Sequence, residues 1–258
     1  MTKKAVILAA GLGSRLVSRK DLPKPLQPVG GVPLIVRTLR KLEALGLEDV
    51  AVIVGYRGEL LGEVLQFYRF DFKLHIIFND EWEKPNGTSL LKAKDFVDGP
   101  SFVLMSDHLC SLSLLQRVDV FPVGTDEAVL GVDFDIPRCF DLPDATKVAL
   151  RGGKIVEIGK ELPSYEALDT GVFKITPALM DALDNVNGPK GCSLSEGIAA
   201  LAAKGKMRAV DIGRAPWVDV DTPEARDFAE ANLACYESVE ADLPLQQPVP
   251  SVPSRLSA

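Results

Sequence analysis

The sequence predicts a Rossmann-like α/β fold, a mostly parallel mixed sheet flanked by helices, on three observations. AVILAA at 5–10 is an unbroken apolar run that passes directly into Gly-x-Gly, the pattern of a strand buried on both faces and followed by a tight turn. Apolar runs of strand length then alternate with stretches of helical periodicity to about residue 120, as a sheet covered by helices on both faces requires. Beyond it the runs shorten, and Gly152-Gly153 separates KVAL from KIVEI, a hairpin signal that adds antiparallel strands.

Taken in order, PLIVRTLRKLEALGL (33–47) has apolar residues at helical spacing and Gly46 near its end, DVAVIVGY (49–56) is a second buried strand and GELLGEVLQFY (58–68) a second helix. KLHIIFND (73–80) reads as a strand, TSLLKAKDFV (88–97) as a helix and SFVLMSDH (101–108) as a strand. EAVLGVDFD (127–135), the hairpin within TKVALRGGKIVEIGK (146–160) and DTGVFKI (169–175) supply shorter strands. PALMDALDNV (177–186) and SLSEGIAALAAKGK (193–206) are helices, the second starting at a serine cap. RAVDI (208–212) and WVDVD (217–221) are strands, and TPEARDFAEANLACYESVE (222–240) is one helix with proline in its first turn. Residues 1–235 read as a single domain. Residues 236–258 are rich in Pro and Ser without periodicity and are expected to form a disordered tail or a linker.

A chain of 258 residues, 47% of them hydrophobic, can bury a sizeable core. Its formal net charge of −7 argues against nucleic acid as a partner and suits a protein that admits small anions through a few placed cations. Four scattered cysteines without CxxC spacing, and two histidines, argue against a zinc site and read as free thiols of a reducing compartment. No apolar run approaches the roughly 18 residues of a spanning helix. MTKK enters a strand without an h-region. Direct membrane insertion is not expected, and the expected location is cytoplasmic.

The turn at Ala9, Ala10, Gly11, Leu12 and Gly13, flanked by Leu8 and Ser14, offers backbone N–H groups to a phosphate, and its small residues allow close approach. Arg15 can grip phosphate oxygens as a fork, and Lys24, between Pro23 and Pro25, supplies a compact charge. The Walker pattern fails because Gly13 is followed by Ser-Arg, and the dinucleotide fingerprint fails because Leu16 stands where its third glycine belongs. A structural turn with surface cations is the plain alternative.

LAAGLGSRL…LPKPLQPVGGVPLI resembles the signature of the sugar-phosphate nucleotidyltransferase family, LAAGxGxR followed by PKxL, and the resemblance runs from residue 3 to about 233. It implies the nucleotide-diphospho-sugar transferase fold, with a nucleotide-binding N-terminal half and an acceptor-binding C-terminal half. It assigns Arg15 and Lys24 to the charge that builds as pyrophosphate leaves, since electrostatic stabilisation is the main lever in such transfers. The link VSRKDL (17–22) is shorter than in hexose-1-phosphate members. Short links are commoner among cytidylyltransferases, which points to CTP.

Asp107 lies just past a buried strand, and Asp219 and Asp221, two apart on a strand, share a face. Carboxylates converging on a triphosphate suit Mg2+. The resemblance makes Asp107 and Asp221 its ligands, with Asp219 a third. The alternative is a solvated strand end, with Asp221 capping the next helix. His108 is expected to line the pocket and His75 to be structural. NDEWEKPNGTSLLKAK (79–94) resembles the family's base-recognition loop; it would set Asn86, Gly87, Thr88 and Ser89, together with Gly55 and Ser106, around the nucleoside. An ordinary Thr/Ser helix cap is the alternative.

DATKV (144–148) and EIGKEL (157–162) carry Lys147 and Lys160, which can hold an acceptor phosphate and offset its repulsion from the triphosphate; two exposed strand lysines are the alternative. ALDTGVFKITPAL (167–179) resembles the family segment in which Asp169 and Gly171 line the acceptor pocket. The set resembles inositol-1-phosphate cytidylyltransferases, domains often fused to a membrane phosphatidyltransferase, and the Pro-rich tail stands where a linker would begin. The expected function is therefore a CDP-alcohol synthase using CTP and inositol 1-phosphate. The alternatives are a hexose-1-phosphate enzyme using UTP, GTP or dTTP, a phosphocholine or aminoethylphosphonate cytidylyltransferase, and a non-catalytic nucleotide-sugar sensor. Few aromatics in the second half weigh against choline. Homo-oligomerisation is left open.

Overall fold

A computed structural model of the chain describes residues 1–13 and 22–237. The first half runs β1 (Lys4–Ala9), β2 (Pro28–Val29), β3 (Val32–Pro33), α1 (Leu34–Ala44), β4 (Asp49–Val54), α2 (Gly58–Leu65), β5 (Lys73–Phe78), α3 (Asn86–Leu91), β6 (Ser101–Met105), β7 (His108–Cys110) and α4 (Leu112–Val120). The second half runs β8 (Ala128–Asp133), β9 (Lys147–Arg151), β10 (Lys154–Gly159), β11 (Ala167–Ile175), α5 (Pro177–Val186), α6 (Leu194–Ala203), β12 (Met207–Asp211), β13 (Trp217–Asp219), α7 (Pro223–Ala231) and α8 (Leu233–Glu237).

The described residues form one main sheet in the order β5-β4-β1-β6-β11-β8-β12-β10-β9. The strands β5, β4, β1 and β6 are mutually parallel, and the antiparallel pairing of β6 with β11 carries the sheet into the second half. Side chains of β1 alternate between two cores. Ala5, Ile7 and Ala9 join a cluster with α1, α2 and α4, while Val6 and Leu8 join another with α3, α5 and α6. Period-two alternation with both faces covered is why AVILAA is apolar throughout.

Local chemistry accounts for the ends. The β9–β10 hairpin turns on Gly152 and Gly153, both at positive φ (59° and 74°), as a tight hairpin turn demands. α6 starts at a capping box in which Ser193 accepts from the Glu196 N–H and the Glu196 side chain accepts from Ser193. Two helices differ from expectation. The segment read as 88–97 is α3 followed by a separate 3₁₀ turn, Lys94–Phe96. The segment read as 222–240 breaks at Asn232, whose side-chain amide donates to the Phe228 carbonyl at 2.9 Å, so α7 stops and α8 begins. The boundary drawn after residue 235 cuts α8, whose Tyr236 is fully buried. Residues 238–258 lie outside the described residues. No helix among the described residues is long and apolar enough to cross a membrane.

Candidate active site

From β1 the chain goes to β4 and β5 on one side and returns to β6 on the other, so a crevice opens at the carboxyl ends of β1 and β6. Its rim is the turn after β1. Leu8 and Ala9 are strand residues, 8% and 3% exposed, with their side chains in the two cores. Any contact they make to a ligand is therefore through the backbone, and the chain leaves the sheet at Ala10. Ser106 ties its N–H to the Leu8 carbonyl (3.1 Å), and Tyr56 ties its N–H to the Ala10 carbonyl (2.9 Å). Gly11 has open space around it, whereas a Cβ on Gly13 (φ 60°) would lie 2.5 Å from Lys24 Cβ. Gly13 is therefore glycine so that the lysine can pack on it. Ser14 and Arg15, and most of the VSRKDL link, lie outside the described residues.

Lys24 occupies a 3₁₀ turn, Lys24–Leu26, with proline on either side, and is only 6% exposed. Proline fixes φ on both flanks and pre-sets the turn. The ammonium lies 2.7 Å from Asp107 Oδ2 and 3.8 Å from Asp219 Oδ1, and also pairs with Asp221. Asp107 follows β6 directly. β13 pairs antiparallel with β7, setting Asp219 opposite His108, and the Val220 N–H donates to the Asp107 carbonyl (2.9 Å). Val218 and Val220 are buried in a third apolar cluster, so Asp219 and Asp221 face the lysine. The cap of α7 is Thr222, whose hydroxyl accepts from Ala225 N–H, and not Asp221. This removes the capping alternative for that carboxylate.

Burial alone would raise the Asp107 carboxyl, but Lys24 and His108 more than offset it and hold it at about 2. Burial opposes charge on His108, yet Asp219, Asp107 and the Thr170 carbonyl raise its pKa. Its Nδ1 donates to that carbonyl at 2.9 Å. Gly171 (φ 73°) is glycine for this ring, because a Cβ there would sit 2.4 Å from His108 Nδ1. Burial pushes Asp169 up to about 6, although it accepts the Gly171 N–H at 2.7 Å. Ligand atoms of Asp107, His108 and Asp219 lie within 4.8 Å of one another, as do those of Asp144, Asp219 and Asp221. Such a carboxylate-dominated set suits a hard divalent cation.

Beside these acids lies a cavity of about 280 Å³, lined among others by Asn86, Asp144, Thr146, Lys160, Asp169 and Trp217. Lys160 reaches it and pairs with Asp144 at 2.5 Å. Lys147 does not: it is 8% exposed and donates to the Pro143 carbonyl (3.0 Å), bracing the loop before β9. Of the two lysines expected to meet the acceptor, only Lys160 is part of the cavity lining. The side chains after Asn86 are likewise engaged in packing. Thr88 Oγ1 accepts from the Cys192 N–H (3.1 Å), Ser89 Oγ from Asn79 Nδ2 (2.9 Å), and a Cβ on Gly87 would lie 2.6 Å from the Cys192 carbonyl. The Asn86 side-chain Oδ1 accepts from the Leu194 N–H (2.9 Å). Gly55 is closed by Trp82 and the Ala10 carbonyl. These contacts lock α3 to the loop before α6, which one-dimensional reading could not show.

Sequence reasoning singled out no site role for several cavity residues, Asp133, Arg138 and Trp217 among them. Asp133, 1% exposed, accepts from Arg138 Nη2 (2.9 Å) and Trp217 Nε1 (2.7 Å), linking the loop after β8 to the strand of Asp219. An acid at the end of a buried strand was a usable signal for Asp133; nothing local marks Arg138 or Trp217. His75 is structural as expected, its Nε2 2.7 Å from Asp49 Oδ1. None of the four cysteines forms a disulfide.

Residues 5–118 match the model of the MobA-like NTP transferase domain. The chain is 34% identical over 257 residues to a bifunctional IPC transferase and DIPP synthase of Rubrobacter xylanophilus, covering 94% of this chain and 55% of that protein. It is 32% identical over 239 residues to the protein of the same name from Aquifex aeolicus, covering 90% and 52%. The chain thus spans about half the length of the curated relatives it matches. The solved inositol-1-phosphate CTP transferase from T. maritima superposes with a TM-score of 0.77 at 27% identity, covering 86% of this chain and 90% of that one. Likeness over 86% of the chain extends into both halves of the sheet. Residues 5–118 thus carry a MobA-like NTP transferase domain, and the chain has the nucleotide-diphospho-sugar transferase fold.

Proposed function

We propose that the chain is a magnesium-dependent cytidylyltransferase that joins CTP to a phosphorylated alcohol, inositol 1-phosphate fitting best, and releases pyrophosphate. The observation that carries this reading is the convergence of Lys24, Asp107, Asp219 and Asp221 at one end of the cavity. A phosphate oxygen of the acceptor attacks the α-phosphorus in line. The bond from that phosphorus to its bridging oxygen breaks, and pyrophosphate leaves with the electron pair. The nucleophile is already an anion, so no base has to remove a proton, and His108 keeps a pocket-lining role. Lys24, with Arg15 of the signature segment, stabilises charge on the departing phosphates. The backbone of Ala10, Gly11 and Gly13 cradles the triphosphate.

Asp107, Asp219 and Asp221 would hold Mg2+, which would supply charge neutralisation between the two phosphorylated substrates. Lys160 offsets the acceptor phosphate, and Asp169, Asp144 and Thr146 offer partners to hydroxyl groups on the cavity wall. The CTP and inositol phosphate in the name of the solved neighbour support this pair over a hexose-1-phosphate. A CTP-consuming enzyme acts where CTP is made, which fits the cytoplasm.

The test is pyrophosphate release from each NTP with Mg2+ against inositol 1-phosphate, hexose 1-phosphates, phosphocholine and aminoethylphosphonate. CTP with inositol 1-phosphate is expected to be fastest, and Lys24→Ala to slow it about 10²–10³-fold while the circular dichroism stays unchanged. Release with no pair would favour a non-catalytic sensor. Near-normal turnover of a folded Lys24→Ala protein would remove Lys24 from the chemistry.

A further inference from the structure

The phosphate end of the crevice is defined by the acids at β6 and β13, which leaves open where the nucleoside goes. Parallel strands lie about 4.8 Å apart, so the ends of β4 and β5 are two to three strand spacings from β6, on the far side of β1. At that end stands Trp82. Its Cβ and Cγ cover Gly55, where an added Cβ would lie 2.3 Å and 2.9 Å from them and 2.8 Å from the Ala10 carbonyl. Trp82 is thus packed against the same peptide that flanks the phosphate turn. The Tyr56 ring lies 5.5 Å from it, tilted by 58°, and the Tyr56 N–H is bonded to the Ala10 carbonyl.

The loop that presents Trp82 is held at its start. Asn79, 2% exposed, donates its N–H to the Val54 carbonyl (2.7 Å) and its side-chain amide to Ser89 Oγ (2.9 Å), and accepts from the Glu81 N–H (2.9 Å). Trp82 itself is only partly buried. A large aromatic at a strand end beside a phosphate turn, with its root packed and part of its surface open, has the features of a stacking surface for a planar base.

We propose that Trp82 is the platform on which the nucleobase stacks, a residue that sets nucleotide affinity through its aromatic face. The inference rests on the reading that the chain uses CTP. Titration calorimetry with CTP and Mg2+ and no acceptor, run in parallel with inorganic tripolyphosphate, tests it on the wild type, Trp82→Phe and Trp82→Leu. Phenylalanine and leucine both keep the Cβ and Cγ that cover Gly55, but only phenylalanine keeps a π-face. Trp82→Phe is expected to bind CTP within about threefold of wild type and Trp82→Leu about tenfold or more weakly, while all three bind tripolyphosphate alike. Equal CTP affinity in wild type and Trp82→Leu, or a parallel loss of tripolyphosphate, overturns the platform and leaves the proposed function intact. Failure of the wild type to bind CTP while it binds tripolyphosphate overturns the choice of nucleotide itself.

Discussion

Lys24 sits where a buried ammonium without partners would cost several kcal/mol, and three carboxylates from two separate strand ends supply the compensation. The flanking prolines restrict the turn, and Gly13 makes room for its stem. Asp169 is the opposite case, a carboxyl that burial pushes up to about 6 from an ordinary value near 3.8. A folded-state pKa raised above the unfolded one means that the folded protein holds the extra proton between the two values. The associated stability is therefore fully present below the unfolded pKa and is lost as pH rises through about 6. Asp169→Asn keeps an oxygen for the Gly171 N–H and removes the titration. Thermal melts from pH 4 to 8 should show the wild type losing more stability across that interval than the variant, which should be the more stable at pH 7.5. Parallel curves would mean that Asp169 is not held up by burial.

Among elements, α7 and α8 bind the site's framework more tightly than their place at the end of the described chain suggests. The Glu230 carboxylate accepts from the Gly30 N–H (2.8 Å) in the turn between β2 and β3, where a Cβ on Gly30 would lie 2.5 Å from Leu233. Arg37 of α1 donates to the Val29 carbonyl (2.9 Å) and pairs with Glu237. Tyr236 and Phe228 share one cluster with Val29, Val218 and Val220. The helices thereby fasten the hairpin that follows Lys24 to the strand that carries Asp219. A chain ended after residue 235 lacks Tyr236, and by analogy with deletion of a buried aromatic it should lose about 3–5 kcal/mol relative to a chain ended after 240. Urea unfolding of the two chains compares them directly, and coincident midpoints would show that α8 is dispensable.

At the scale of the whole molecule, a single sheet joins both halves, and the site draws Asp107 from the first half and Asp219 and Asp221 from the second. Ligand bound there should therefore stabilise the protein as a unit. CTP with Mg2+ at a hundred times its dissociation constant contributes about 2.7 kcal/mol, worth about 5–10 °C in melting temperature for a chain of this size. The shift should vanish with EDTA. A rise that survives chelation would argue against a metal among the three acids.

The succession of strands and helices in the first half was legible in the sequence because apolar runs and amphipathic stretches answer to burial on one axis, residue by residue. The lysine and the aspartates were legible because each lies at a strand end or beside a proline, a local mark. The contacts that Lys147, Thr88 and Ser89 make within the fold were not legible, for one reason. Whether a polar side chain reaches a ligand or a neighbouring backbone depends on what the fold brings against it, and their partners Pro143, Cys192 and Asn79 carry no pattern that announces the contact.

By itself the sequence determined the secondary-structure plan, the glycine turn after β1 and the chemical types available to the site, since these follow from propensity, periodicity and local spacing. Only the tertiary structure decided that Lys24 faces three carboxylates at once, that Thr222 and not Asp221 caps α7, and that Trp82 closes over Gly55. Those facts depend on strands far apart in the chain meeting at one end of a sheet, and distance in space is not encoded in the spacing of residues along it.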